Sequence, residues 1–123
     1  LADGARRLGA PVLALAAANS VTALGAELVG RSYGGGLLKL EPREAARLPV
    51  PSVELAAGCA HALRDFLPAA RRLLGAGQRE RVRAEVDRIL GLEGLVGADG
   101  VEQIRNARAR LVSRRRARAA KRP

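Results

Sequence analysis

Apolar residues recur at helical spacing near the start of the chain. The first such stripe runs from Pro11 to Val29 and predicts one continuous helix, with Pro11 in its first turn and Gly30 at its end. The members of the stripe follow one another at intervals of three or four residues: Leu13, Ala17, Val21, Leu24 and Leu28.

The pattern changes after this helix. Gly34-Gly35-Gly36 predicts a flexible loop, because glycine accepts positive φ angles and lets another backbone come close. The short apolar segment Leu37–Leu40 predicts a strand whose leucines join the core. Glu41-Pro42-Arg43-Glu44 is typical of a helix start, and Pro49-Val50-Pro51 must end that helix. Residues 1–51 therefore form a first segment of helix, glycine loop, short strand and proline-rich turn.

Residues 52–123 read as a second, helical segment that ends in a basic tail. Ser52 is a good N-cap for an apolar stripe that continues to about Leu74. Pro68 lies inside that stripe and is expected to kink or split the helix. The stripe is formed by a run of residues at helical spacing: Leu55, Cys59, Leu63 and Phe66.

Two further helices are expected beyond a Gly-Ala-Gly turn. Gln78–Leu90 is clearly amphipathic, and a glycine-rich loop over Gly91–Gly100 should separate it from a last helix that frays into the basic tail. Their matched apolar stripes predict an antiparallel helical hairpin. The fold class is thus mainly α with a small β element. Because the chain begins at Leu1 rather than Met, we expect an incomplete domain of a larger protein.

Positive charge is concentrated at the C-terminal end. The chain has 22 Lys and Arg against 12 Asp and Glu, and nine of the basic residues but no acid lie in 105–123. Such a tail favours contacts with DNA or RNA phosphates, and a solvated, frayed terminus explains it equally well. The basic residues of this tail are Arg105, Arg108, Arg110, Arg114, Arg115, Arg116, Arg118, Lys121 and Arg122.

Composition excludes several classes of protein. One Cys and one His permit neither an intrachain disulfide nor a zinc cage, so no metal is expected. Tyr33 and Phe66 are the only aromatic residues, which argues against a base-stacking platform. Polar residues interrupt the apolar run at 10–29, so we expect no membrane span, and the cytoplasm is the default location.

The residues around the glycine loop allow two kinds of chemistry. Gly30-Arg31-Ser32-Tyr33-Gly34 matches the G-x-S-x-G elbow of hydrolases, but a helix precedes it and glycines follow, where the elbow needs a strand and then a helix. His61 is expected to be a partly buried structural residue rather than a catalytic one. The glycine run flanked by Arg31 and Lys39 could instead hold a nucleic-acid backbone.

Three stretches together resemble a known family. They are Asn19-Ser20, the run from Glu27 to Pro42 that contains Ser32-Tyr33-Gly34-Gly35-Gly36, and Leu48-Pro49-Val50-Pro51. The chain is similar to the C-terminal, target-recognition part of adenine-specific DNA methyltransferases of restriction–modification systems. The sharpest likeness runs from Ser32 to Pro51, and the rest of the chain also fits.

The resemblance implies a cytoplasmic parent enzyme that moves a methyl group from S-adenosylmethionine to adenine in double-stranded DNA, with the target base flipped out. Such enzymes carry an Asn/Asp-Pro-Pro-Tyr/Phe catalytic loop, whereas the six prolines of this chain never adjoin. The chain therefore carries no catalytic or cofactor residue of its own, and whether it counts as an enzyme stays open. Its expected partners are DNA and the methyltransferase domain of the same parent chain.

Matching positions in the motif loop are expected to contact the DNA or the methyltransferase domain, with a purely structural role as the competing interpretation. The candidate DNA-binding residues are Arg31, Ser32, Tyr33, Gly34, Gly35, Gly36 and Lys39 of the loop, with Arg114, Arg115 and Arg116 of the tail. Two other functions stay open: a non-catalytic DNA-specificity subunit, and a generic basic helical protein that binds nucleic acid without sequence preference.

Overall fold

The computed structural model describes residues 2–121, which are mainly helical with one small β-hairpin, so the predicted fold class is confirmed. In chain order the elements are α1 (Ala2–Leu8), α2 (Ala10–Ala16), α3 (Ser20–Val29), β1 (Arg31–Tyr33), β2 (Leu37–Lys39), α4 (Pro42–Ala45), α5 (Val53–Gly58), α6 (Ala60–Gly75), α7 (Arg79–Leu90) and α8 (Leu92–Ala120). A short 3₁₀ turn over Gly34–Gly36 connects the two strands.

One hydrophobic core joins the two segments of the chain. Leu63 and Val86 are completely buried at its centre, and Leu8, Val12 and Leu15 bring the first two helices onto it. The core is built from small and branched aliphatic side chains, as the composition requires. Its buried members are Leu8, Val12, Leu15, Ala16, Ala56, Ala60, Leu63, Ala70, Val82, Val86 and Leu90.

The predicted continuous helix over 11–29 is wrong. The chain forms α2 and α3 instead, bent by 80° at a short break. Asn19 causes the break, because its extended backbone (φ −108°, ψ 166°) cannot continue a helix, while its side chain accepts a hydrogen bond from the backbone N–H of Thr22 at 2.8 Å. Its amide also donates to the carbonyl of Ala16 at 2.8 Å and so closes the preceding helix. Within the described residues, no single helix is long and apolar enough to cross a membrane.

The helix is not split at Pro68, one of the two outcomes predicted there. α6 continues through Pro68 from Ala60 to Gly75, and the chain instead breaks at Cys59, between α5 and α6. Pro68 has no N–H, so the carbonyl of Arg64 lacks its helical hydrogen bond. Arg64 is exposed, and water can take the place of the missing donor. Ser52 caps α5 as predicted, since its hydroxyl accepts from the backbone N–H of Leu55 at 3.1 Å.

The predicted loop over Gly91–Gly100 is helical. Gly91 (φ 72°) ends α7, and α8 begins at once and is interrupted only by the non-helical Gly97 (φ 80°, ψ 160°). Beyond Gly97 the helix runs to Ala120, so the expected fraying of the tail is not seen in the described residues. Arg105 reaches Asp87, whereas the later Arg108 reaches the earlier Glu80, as the predicted antiparallel pair of helices requires.

The proline-rich turn lies across α3. The hydroxyl of Thr22 donates to the carbonyl of Pro49 at 2.5 Å, and a Cβ on Gly25 would overlap the ring of Pro49. Only glycine at position 25 therefore allows the proline-rich turn to pack this closely against α3. The motif stretches that lie far apart in the sequence meet on this one helix.

Candidate nucleic-acid interface

The motif loop folds as an antiparallel β-hairpin. Arg31 pairs with Lys39, Ser32 with Leu38, and Tyr33 with Leu37. The second strand agrees with the predicted strand to within one residue, whereas the first strand was not predicted. The hairpin leaves α3 at Gly30, where a Cβ would lie 2.8 Å from Leu38, so Leu38 packs closely there.

One face of the hairpin is open to solvent. Alternation along the strands places Arg31, Tyr33, Leu37 and Lys39 together, and all four residues are exposed. The expectation that Leu37 joins the core is wrong: it is 65% exposed, because its place in the register faces away from α3. The ammonium of Lys39 lies 5.3 Å from the centre of the Tyr33 ring, a cation–π distance.

The two cations of the hairpin are paired with the helix that follows. Arg31 Nε donates to Glu44 at 2.9 Å, and Lys39 lies 3.3 Å from Glu41. Glu44 also accepts from the backbone N–H of Glu41 at 2.9 Å in a capping box at the start of α4. That backbone bond, with the Arg31 guanidinium as the next cause, holds the pKa of Glu44 below its ordinary value.

The glycine turn lies against the last helix. Gly36 is buried, and a Cβ there would lie 3.1 Å from the Cβ of Ala119 and 3.7 Å from the carbonyl oxygen of Arg115. Gly35 and Gly36 have φ angles of 76° and 78°, which L side chains rarely adopt. Gly34 has open space around it. Gly35 is thus needed for the backbone conformation of the turn, and Gly36 is needed in addition for its close packing against α8.

Arg115 connects the tail to the hairpin. Its guanidinium forms a bidentate ion pair with Glu27 of α3 and donates to the carbonyl of Gly36. The side chain is 14% exposed and that of Glu27 is 5% exposed. The hydrogen bond to Glu27 raises the pKa of Arg115. Arg115 is already fully engaged within the protein, unlike the other two candidate arginines of the tail.

Arg114 and Arg116 flank this contact and are exposed on α8. One turn later, Arg118 lines a cavity of about 320 Å³ together with Ser32 and Tyr33. The structure therefore brings the hairpin and the basic helix together around one cleft. Arg122, the last basic residue of the predicted tail, lies outside the described residues.

Sequence reasoning missed the acids that organise this surface. Glu27 was not singled out, although a lone carboxylate in an apolar helix signals a buried ion pair. Asp87 was also missed; its buried carboxylate accepts from the backbone N–H and hydroxyl of Ser20 at the start of α3. Arg118 belongs to the predicted basic tail, but nothing in the sequence shows which tail residue faces the hairpin.

The other candidate chemistry has no support in the geometry. Ser32 lies within a strand of the hairpin and not in a strand-to-helix elbow. The expected burial of His61 is wrong: its side chain is 96% exposed and lies 3.4 Å from Asp65. Among residues 2–121, no group of three or more His, Cys, Asp or Glu side chains could hold a metal ion.

Comparison with known proteins identifies one likeness. The family model described as Type II methyltransferase M.Eco57I, C-terminal domain, matches residues 4–90. That range includes most of α1, all of α2–α7, the hairpin and the proline-rich turn, and it ends before the basic helix. No curated protein and no solved structure matches the chain.

Proposed function

The chain belongs to the family of the Type II methyltransferase M.Eco57I C-terminal domain, and from this premise we propose that it holds and reads double-stranded DNA for an adenine-specific DNA methyltransferase. The proposed reaction transfers a methyl group from S-adenosylmethionine to the exocyclic amine of adenine. Its chemical step belongs to a methyltransferase domain of the same parent chain, with which this region would pack. A DNA substrate would place the protein in the cytoplasm.

A single observation carries the proposal. The hairpin and the basic helix are held together at the same cleft, although Gly36 and Arg115, which join them, lie 79 residues apart in the chain. Phosphate contacts from lysine and arginine position a protein on DNA, and groups that reach base edges provide specificity. A rigid hairpin beside a cationic helix supplies both kinds of group.

The positive charge available for DNA comes chiefly from α8. Glu41 and Glu44 balance Lys39 and Arg31, and Glu27 balances Arg115. Arg114, Arg116 and Arg118 have no ion-pair partner among the described residues. These three arginines are therefore proposed to contact phosphates first.

Arg31, Tyr33 and Lys39 are proposed to contact DNA from the open face of the hairpin. The ion pairs of Arg31 and Lys39 are solvent-exposed, so exchanging their carboxylate partners for phosphates costs little. Ser32 faces the cleft and offers a hydroxyl that can both donate and accept a hydrogen bond. In this arrangement the glycines act through the backbone, by allowing the turn to lie on α8.

We assign the S-adenosylmethionine site to the catalytic domain of the parent chain. No two prolines of this chain adjoin, so it lacks the Asn/Asp-Pro-Pro-Tyr/Phe loop that the resemblance implies for the catalytic domain. The proposal therefore assigns no catalytic step to the residues of this chain. Their contribution is to bind the duplex and to orient it toward the catalytic domain.

The test is duplex binding by the full chain across a salt series. Affinity should fall linearly with salt on a log–log plot, and Arg114→Gln with Arg116→Gln should reduce the slope by roughly 1.8, since each phosphate contact contributes about 0.9. The matched control is Arg71→Gln with Arg72→Gln, which removes the same charge from exposed positions on α6. Salt-independent binding, or equal slopes in the two double variants, would overturn the proposal.

Competition between duplexes separates sequence-specific recognition from general binding. A target-recognition region should prefer its own site over unrelated duplexes by roughly a thousandfold or more. Equal competition by all duplexes would instead favour a generic basic nucleic-acid-binding protein. Methylation of adenine by the parent protein, measured as transfer of a labelled methyl group, would distinguish it from a non-catalytic specificity subunit.

A further inference from the structure

A second cationic cavity lies between α7 and α8. Three of its six lining residues are arginines, and a buried serine is among the others: Arg83, Arg105, Arg108, Glu80, Ser20 and Ala84. Its volume is about 90 Å³, whereas one water molecule needs only about 15 Å³. The proposed DNA-binding surface uses none of these residues.

The two carboxylates that contact the arginines of this cavity, Glu80 and Asp87, do not balance their charge. Asp87 is fully used, because it accepts from the Ser20 backbone at 2.7 Å, from the Ser20 hydroxyl at 2.5 Å and from Arg105 at 2.9 Å. Glu80 accepts from Arg83 at 2.6 Å and, through the same oxygen, lies 3.4 Å from Arg108. Three arginines therefore share two carboxylates, and one positive charge is left in excess.

Arg108 carries that excess charge. Its side chain is 25% exposed, and the long contact to Glu80 is its one ion pair within the described residues. Burial, followed by the nearby charge of Arg83, holds the pKa of Arg108 below its ordinary value. A guanidinium has five N–H donors in a planar fork, so most donors of this half-buried cation remain available to a ligand.

The cavity and the hairpin lie on the same side of α8. Arg108 precedes Arg115 by seven residues, which is about two helical turns, so both side chains leave α8 on the same side. Arg115 contacts the glycine turn from that side. Glu80 is 77% exposed and lies at the edge of the cavity, where an incoming anion can replace its contact with Arg108.

We propose that the cavity between Arg83 and Arg108 binds a phosphate group of the DNA backbone. The two guanidiniums donate to the phosphate oxygens from two different helices, which fixes the position of one phosphate relative to the core. Charge-assisted bonds from a guanidinium fork are the usual means of holding a phosphate. The choice of DNA as the source of the phosphate rests on the proposed function; the anion site itself does not.

The first arm of the test uses inorganic phosphate. The full chain is titrated with phosphate against chloride at equal ionic strength, and the arginine Nε–Hε resonances are followed by NMR. Saturable shifts are expected in the unsubstituted protein and in Arg81→Gln, which removes one charge from an exposed position on α7. Arg108→Gln should abolish them, and Arg108→Lys, which keeps the charge but loses the fork, should weaken them about tenfold.

Two results of this arm overturn the site. One is that phosphate and chloride produce the same shifts of the arginine Nε–Hε resonances. The other is an Arg108→Gln protein that is folded by circular dichroism and still shows the full shifts. If Arg108→Gln does not fold, Arg108→Lys and Arg83→Lys provide the same comparison.

The second arm uses duplex DNA in a salt series. Arg108→Gln should lower the slope of log affinity against log salt by about 0.9, and Arg81→Gln should leave it unchanged. Equal slopes for the two variants overturn the DNA backbone as the source of the phosphate. If the chain binds inorganic phosphate but no duplex at all, the proposed function fails and the anion site stands.

Discussion

Arg115 of α8 and Glu27 of α3 form a bidentate ion pair, with Nε and Nη2 of the guanidinium 3.1 and 2.7 Å from the two carboxylate oxygens. A further N–H of the same guanidinium is donated to the carbonyl of Gly36. One side chain therefore connects two helices and the hairpin turn. The cleft between the hairpin and the basic helix depends on this contact.

Breaking the pair should destabilise the protein strongly. Arg115→Ala leaves the buried carboxylate of Glu27 without its partner, and removing one member of a buried ion pair costs about 3 kcal/mol or more. Arg114→Ala, at the exposed neighbouring position, should change the free energy of unfolding by no more than about 0.5 kcal/mol. Urea denaturation of both variants measures the difference, and similar midpoints would contradict the role of Arg115.

Sequence patterns were sufficient for the helices that carry their own signals. Gln78–Leu90 has a regular apolar stripe and glycine at its end, and α7 follows it to within one residue. Ser52 and the Glu41–Glu44 capping box mark helix starts through local hydrogen bonds. These helix boundaries are set by residues close in the sequence, so the sequence alone is enough to predict them.

The sequence predictions are wrong where contacts between residues far apart in the chain, or exposure to solvent, determine the local structure. Asn19 interrupts an apolar run that alone would continue, and Ser20 beyond it is held by Asp87, 67 residues later in the chain. Glycines in 91–100 permit helix as well as loop, and beyond Gly91, which ends α7, only Gly97 departs from helical angles. The candidate site was found as a set of residues, but its arrangement depends on Arg115 reaching Glu27, which no spacing reveals.

The contact between Ser20 and Asp87 predicts an order of destabilisation. Asp87→Ala removes the acceptor for three donors and should cost about 3 kcal/mol, whereas Ser20→Ala removes one bond to a charged group, about 1.5 kcal/mol. Arg105→Ala should cost less than about 1 kcal/mol, because that side chain is 48% exposed. Chemical denaturation of the three variants measures their free energies of unfolding. An Arg105 variant that is less stable than the Asp87 variant would contradict the predicted order.

The capping box predicts a dependence of stability on pH. The folded protein lowers the pKa of Glu44, so the stabilisation is fully present above the ordinary glutamate value of about 4.3 and is lost as the pH falls through the folded value. The unsubstituted protein should therefore be more stable than Glu44→Gln at pH 7, and the difference should disappear in acid. Denaturation midpoints from pH 7 to pH 2 measure it.

A second variant separates the two causes of that shift. The backbone N–H of Glu41 is the first cause and Arg31 the next, so in an Arg31→Gln background the substitution of Glu44 should still show a pH-dependent effect, reduced in size. An effect that vanishes completely with Arg31 would assign the whole shift to the exposed ion pair. A difference that grows as the pH falls would contradict the capping box itself.

The three consecutive glycines of the turn should respond differently to alanine, although their sequence context is nearly identical. Gly34→Ala should be almost neutral, because its φ is not positive and nothing lies within 4 Å of the added Cβ. Gly35→Ala should cost about 1 kcal/mol from backbone strain alone, since its φ of 76° has open space around it. Gly36→Ala should cost about 2 kcal/mol, because strain is joined by the 3.1 Å contact with Ala119.

The same series links the fold to the proposed function. Gly36→Ala moves the hairpin away from α8 and should weaken duplex binding, whereas Gly34→Ala should bind like the unsubstituted protein. Urea denaturation and duplex titrations of the three variants measure both effects. Equal costs for Gly35→Ala and Gly36→Ala would mean that the contact with Ala119 is easily relieved. Unchanged binding in Gly36→Ala would then show that the hairpin and the basic helix bind DNA independently of each other.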